Sequence, residues 1–175
     1  MLESIHAPTG DERGLILLRP RVFQLMMAFR QTGPVATEAG GVLIGSLRGP
    51  HIEVIDCTQP MQNDLRRSHA FDRRDAGHVA AIHAAMKGSA GTIGYVGEWH
   101  THPEPVPSPS GQDSANWRNL VRQTKHSLAF VILGTDGLFM NSLDERGKGS
   151  AGWKLCFPES CNEVLRKNPT INLTP

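Results

Sequence analysis

Apolar positions along this chain alternate between short runs with β character and stretches at helical spacing, with glycine and proline at the boundaries. Residues 1–12 are polar, carry Pro8 and Gly10, and read as a loose lead-in to a short apolar strand at residues 15–18. Pro20 then stands where a first helical turn tolerates it. Val22, Phe23, Leu25, Met26 and Phe29 recur at helical intervals up to Gln31, which predicts an amphipathic helix laid on a sheet. Gly33-Pro34 breaks that helix. An apolar β run follows at residues 40–47, and residues 51–57 alternate as its hairpin partner, with the glycines marking a bulge or a close backbone approach.

Residues 58–68 read as a polar loop, and residues 68–71 as a brief strand. Asp75 is placed to cap a helix running through Lys87, with Val79, Ile82, His83 and Met86 on one side. His78 and His83 lie five apart on that helix, off a common face, and read as packing or surface histidines rather than ligands. Residues 92–99 have the β-branched and aromatic content of a buried strand. A helix is predicted from Ser110 to about Lys125, then a fully buried strand at residues 128–133. Asp136-Gly137 signals a hairpin into residues 138–143, and a last strand spans residues 151–157. Beyond Pro158 the periodicity is weak and predicts only a short helix before the end. The sum is an α/β domain with a mixed, largely antiparallel sheet and helices on its faces. It reads as one domain over residues 1–175, with residues 1–12 and 160–175 peripheral.

A length of 175 residues with 39% hydrophobic content suits one well-buried core and is short for two. A net charge of +1 with acids and bases interspersed gives no reason to expect nucleic acid or an anionic membrane as partner. Arg66-Arg67 and Arg73-Arg74 form a local basic cluster that reads as solvated surface. Cys57, Cys156 and Cys161 are odd in number, which argues against a secreted disulfide framework and for a reducing cytoplasm. Cys156 and Cys161 lack further ligands nearby and read as inert. The apolar run at residues 14–18 is far too short for a membrane span or a signal sequence, so neither insertion nor export is expected.

The chemistry concentrates in residues 99–113, WHTHPEPVPSPSGQD. On a strand, His100 and His102 share one face and Thr101 points the other way. Their separation of about 6.6 Å of rise is one that two imidazoles can close on a common ion. Prolines at 103, 105, 107 and 109 make the following loop stiff. It delivers the chain to Ser110 and Asp113, whose spacing is that of a helix-start capping box. Taken alone, the capping reading of that pair is sufficient. With the two upstream histidines it also completes three nitrogen or oxygen donors plus an open position, the composition of a catalytic zinc site.

His100-x-His102, seven residues, Ser110, two residues, Asp113 resembles the signature of the JAMM (MPN-plus, JAB) metalloproteases, and residues 38–45, EAGGVLIG, resemble that family's upstream glutamate segment. The wording GEWHTHP at residues 97–103 is most similar to small prokaryotic members, among them deconjugating peptidases encoded beside ubiquitin-transfer-like enzymes in CBASS-type anti-phage operons. The resemblance implies a cytidine-deaminase-like fold and one Zn²⁺ per chain held by His100, His102 and Asp113. It also implies that Glu38 is the general base and that Ser110 donates to the oxyanion. Without the histidines, Glu38 would read as an ordinary exposed carboxylate at a strand start. The substrate implied is a protein with an extended C-terminal tail, the leading case being a nucleotide-cyclising enzyme conjugated to its targets. The same chemistry on a sulfur-carrier or other ubiquitin-like protein, or a non-catalytic MPN scaffold that only binds partners, are the alternatives. A related zinc deaminase would want Cys-x-x-Cys, which this sequence lacks.

Overall fold

The computed structural model describes residues 4–157. The expectations for residues 158–175, Cys161 among them, fall outside the described residues. One eight-stranded sheet organises the chain, in the spatial order β1-β2-β4-β3-β7-β8-β9-β10. Its strands are β1 (Ile5–Pro8), β2 (Leu15–Leu18), β3 (Gly40–Arg48), β4 (His51–Cys57), β7 (Gly94–Thr101), β8 (Leu128–Leu133), β9 (Gly137–Leu143) and β10 (Trp153–Cys156). Only β2–β4 and β7–β8 pair in parallel; every other neighbour in this sheet is antiparallel, as the alternation of the sequence predicts. A small separate hairpin joins β5 (Leu65–Arg67) to β6 (Ala70–Asp72). Helices α1 (Pro20–Met27), α2 (Gly77–Gly88) and α3 (Gly111–Thr124) complete the fold.

Strand β8 shows why its run is apolar without alternation. Ala129, Val131 and Leu133 pack in the core that holds Val22, Phe23 and Met26 of α1, whereas Leu128, Phe130 and Ile132 pack against Trp117 and Val121 of α3. Both faces of the strand are covered, so both sets of side chains are apolar. Each large side chain fully buried there stabilises the fold by roughly 1.5–3 kcal/mol.

On β7, Val96 and Trp99 lie in the same α1-side core although three residues separate them. An ordinary strand would put them on opposite faces. The register between β3 and β7 slips between Leu43 and Ile44, opposite Gly97, and this bulge resets the alternation. Gly97 is required there: its φ is +148°, and a Cβ would lie 1.7 Å from the Ala129 carbonyl oxygen. The bulge therefore leaves Trp99 and Thr101 on one face and His100 on the other.

Four expectations change. The lead-in contains an edge strand, β1, whose Ala7 is buried; one small inward side chain beside Pro8 is too weak a signal to read in sequence. Helix α1 ends at Met27, four residues early, because Phe29 and Arg30 bond back three residues to Met26 and Met27 and carry Gln31 away from the helix axis. The polar loop at 58–68 contributes β5, with the brief strand shifted to Ala70–Asp72. Helix α2 begins at Gly77, whose N–H donates to Asp75 Oδ1 at 2.8 Å, and it buries His78 while Val79, His83 and Met86 stay exposed. Among the described residues no helix is long and apolar enough to cross a membrane.

Candidate metal centre

Strand β7 ends with His100 and Thr101, and His102 continues its extended course: the His102 N–H donates to the Leu133 carbonyl at 2.9 Å. His100 and His102 consequently face the same side. Their Nε2 atoms are 3.0 Å apart, His100 Nε2 is 3.4 Å from Asp113 Oδ1, and His102 Nε2 is 3.5 Å from Asp113 Oδ2. Donors at the corners of a tetrahedron, each about 2.0–2.1 Å from a zinc ion, are about 3.3 Å from one another. The three observed edges bracket that value, so the donor set fits a single tetrahedral zinc with a fourth corner open. Glu104 Oε2 lies 3.9 Å from His102 Nδ1, on the side where a ligating imidazole wants an acidic partner.

Asp113 comes from α3, and the capping box predicted from Ser110-x-x-Asp113 is formed. Ser110 Oγ accepts from the Asp113 N–H at 3.1 Å, and Asp113 Oδ2 accepts from the Ser110 N–H at 2.7 Å. Capping and clustering with the histidines thus coexist in one carboxylate. One turn along the helix, Trp117 stacks on Phe130 with centroids 4.5 Å apart and meets the His100 ring at 6.5 Å, backing that imidazole with a rigid aromatic layer.

Electrostatics match the geometry. Burial alone would raise the Asp113 carboxyl, but the hydrogen bonds of His100 and His102 outweigh it and hold the group far below the usual carboxylate range. Burial alone would lower His102, and here the Asp113 hydrogen bond and charge, helped by Glu38 and Glu104, raise it instead.

Glu38 sits two residues before β3, buried at 6% exposure. The register Gly40↔His100 brings its segment beside the histidines. Ala39 and Thr101 are locked together, with Thr101 N–H donating to the Ala39 carbonyl at 2.8 Å and Ala39 N–H donating to Thr101 Oγ1 at 2.9 Å. Burial pushes the Glu38 carboxyl up, the nearby histidines oppose this, and Asp113 reinforces it. The net upward shift is the direction a general base working near neutral pH requires. Glu38, His100, His102, Ser110 and Asp113 all line one cleft of about 730 Å³. Its other wall is the β5–β6 hairpin, and Gly40 permits that wall to close in, since a Cβ there would lie 2.6 Å from the Phe71 ring.

Other residues around this cleft were not singled out by sequence. Arg73, on the cleft, pairs with Glu98 at 2.5 Å, and Arg66 bonds the Glu38 backbone, so half of the supposed solvated basic cluster is structural. Below the hairpin, Thr58 Oγ1 accepts the Val42 N–H at 2.9 Å and lies 2.6 Å from His78 Nδ1; the Asp64 carboxylate can only accept, so His78 Nε2 donates to its Oδ2 at 2.9 Å and leaves Nδ1 of the neutral ring to accept the Thr58 hydroxyl proton. Asp64 also accepts from the N–H groups of Met61, Arg74 and Asp75, closing the base of the loop that carries the hairpin. A polar residue at 58, 64 or 78 gave no periodic signal, because its partners lie far away in the chain.

Comparison with known proteins bears on this geometry. A CD-NTase/cGAS isopeptidase from Vibrio cholerae serotype O1 is 36% identical over 133 residues, 75% of this chain and 85% of that protein. One of the same name from Pseudomonas aeruginosa is 36% identical over 142 residues, 80% of this chain and 90% of that protein. The solution structure of a Desulfitobacterium hafniense protein, 19% identical, covers 69% of this chain and 80% of its own length with a TM-score of 0.49. The model of the prokaryotic homologs of the JAB domain matches residues 20–145, a span that contains Glu38 and the whole His-His-Asp cluster, and the chain belongs to that family.

Proposed function

We propose that this protein is a zinc-dependent isopeptidase that removes a CD-NTase, a nucleotide-cyclising enzyme of bacterial anti-phage defence, from proteins to which its C-terminal tail has been conjugated. The observation that carries the reading is the trio of donor atoms at 3.0, 3.4 and 3.5 Å, set in the same cleft as a buried carboxylate. The isopeptidase names of relatives at 36% identity supply the bond and the substrate class. The partner implied on the other side of the cycle is the ubiquitin-transfer-like enzyme that makes the conjugate, and the cytoplasm is where both would meet.

His100, His102 and Asp113 would hold the ion, with Asp113 ionised and both imidazoles neutral. Bound there, zinc supplies Lewis acidity, polarising a carbonyl and lowering the pKa of water to about 7. Glu38 takes a proton from the attacking water and returns it to the departing amine. Ser110 Oγ uses one lone pair for its cap, and its own proton remains free to donate to the carbonyl oxygen as that atom gains charge. Pro103 and Glu104 at the start of the proline loop and residues 69–73 of the hairpin bound the cleft and favour an extended tail over a folded segment.

The test is cleavage of a CD-NTase fused through its C-terminus to a reporter protein. Wild type should cut at the junction, lose activity in chelator and regain it with zinc, while Glu38→Gln should bind one zinc per chain and not cut. Chelator-resistant cleavage would remove the metal from the mechanism, and an active Glu38→Gln would remove Glu38.

A further inference from the structure

The proton carrier named above stands on a segment without regular secondary structure. No helix or strand is formed between α1 and β3, and Val35, three residues before Glu38, is 91% exposed. The hairpin on the other side is poorly anchored by apolar burial: all three residues of β5 are exposed, and β6 covers only Phe71 in part. Ala39 and Phe29 tie the Glu38 segment to the core, but the hairpin presents no buried apolar face to that segment, so directed polar contacts fix the two against each other.

An accounting of the backbone polar groups shows which contacts these are. Both groups of Ala39 go to Thr101. The Glu38 N–H donates to the Arg67 carbonyl at 2.8 Å. The Glu38 carbonyl accepts from Arg66 Nε at 2.8 Å, and the same guanidinium reaches the Thr37 carbonyl through Nη2 at 3.2 Å. The Arg66 guanidinium carbon also stands 5.9 Å from the Phe29 ring centroid, and Phe29 in turn meets Trp99, the neighbour of His100, at 6.1 Å. Two consecutive residues of β5 therefore grip both backbone groups of Glu38, while the turn and far strand of the same hairpin line the cleft.

We infer that Arg66 is a positioning residue for Glu38: its forked guanidinium fixes the two carbonyls at 37 and 38 and so sets where the carboxylate stands over the cleft. The inference rests on reading Glu38 as the proton carrier. A planar fork that bridges two carbonyls is a task for arginine and not for lysine, whose single ammonium can satisfy one of them well. Arg66 acts through the main chain and touches none of the three metal-binding candidates, so its loss should leave binding of both zinc and substrate in place. Misplacing a catalytic group by about 1 Å costs on the order of 10²-fold in rate, which bounds the expected effect.

The experiment uses the full chain loaded with zinc and the CD-NTase–reporter fusion, with Arg66→Ala, Arg66→Lys and Glu38→Gln compared with wild type for kcat, KM, zinc content and Tm. Arg66→Ala should lower kcat by about 10- to 100-fold, with KM within about twofold of wild type and zinc still at one per chain; Arg66→Lys should fold like wild type and recover part of the lost kcat, not all of it. Should Arg66→Ala not fold, the intermediate kcat of Arg66→Lys carries the test. Wild-type kcat in Arg66→Ala would overturn the inference, as would an effect confined to KM, loss of zinc from a folded Arg66→Lys, or full activity in Arg66→Lys, which would make charge alone sufficient. A wild-type protein that does not cut the fusion, or an active Glu38→Gln, would instead sink the functional reading; the inference about Arg66 fails by itself only when both of those controls behave as expected.

Discussion

Ser110 has an observed role as the cap of α3 and a proposed one as oxyanion donor, and substitution can separate them. As the N-cap of α3 its Oγ accepts the Asp113 N–H at 3.1 Å, and removal of such a cap costs about 1 kcal/mol of stability. In a chain of 175 residues that loss lowers Tm by roughly 2–4 °C. As an oxyanion donor its loss should instead lower kcat by about 10²–10³, with no counterpart in stability. Ser110→Ala removes both roles. Ser110→Gly removes the hydroxyl while costing only a few tenths of a kcal/mol as a cap. The expectation is that Gly and Ala variants lose similar amounts of kcat although only Ala loses much Tm, both retaining one zinc. Paired turnover assays on the fusion and thermal melts at fixed zinc would show this. If Ser110→Gly turns over within threefold of wild type, the hydroxyl is a cap alone and the donor role is wrong.

His102→Ala and Asp113→Ala should both emerge from purification without zinc by elemental analysis, and Asp113→Ala should in addition melt earlier, since it loses the reciprocal bond to the Ser110 N–H. Acid stability should depend on Asp64: burial would raise its carboxyl, but the N–H groups of Met61 and Asp75, with His78 and Arg74, pull it down to about 2. A carboxyl lowered in the folded state stabilises above its ordinary value near 3.8 and loses that contribution as pH falls toward 2, here about 2 kcal/mol. Urea unfolding of wild type and Asp64→Asn should therefore differ at pH 6 and converge between pH 4 and 2; a constant gap would refute the assignment.

What could be read from sequence was what is local in the chain. The His100-x-His102 spacing, the proline loop and the Ser110–Asp113 box all lie within fifteen residues, and strand and helix periodicity alone sets which way their side chains point. Thr101 was correctly turned away from the histidines, but that its hydroxyl would hold Ala39 and contact Gln31 depends on a register across β3 and on where α1 ends. Glu38 needed a resemblance to be singled out, because nothing in its own neighbourhood marks it. Arg66 and the Asp64–His78–Thr58 chain were illegible for the same reason: a polar contact across 14 to 28 residues leaves no period in the sequence. The bulge at Gly97 is not foreshadowed at all, since the glycines read as marking a bulge are those of the hairpin at residues 40–57, yet it is what lets Val96 and Trp99 share a core.

Of the two readings of Asp113, helix cap and proposed metal donor, the first would favour the second. A carboxylate free to rotate on a surface helix must lose rotamer freedom before it can ligate. Asp113 has lost it already: Oδ2 is tied to the Ser110 N–H at 2.7 Å, and this leaves Oδ1 directed at His100. Its position in the first turn of α3 also places it at the positive end of the helix dipole, which favours the ionised form that a metal needs. His100 is fixed from the other side by the stacked rings of Trp117 and Phe130, one turn further along the same helix and on the strand beside it. The start of α3 thus orders the carboxylate and one imidazole together, so the proposed zinc would meet two of its three donors already held in place.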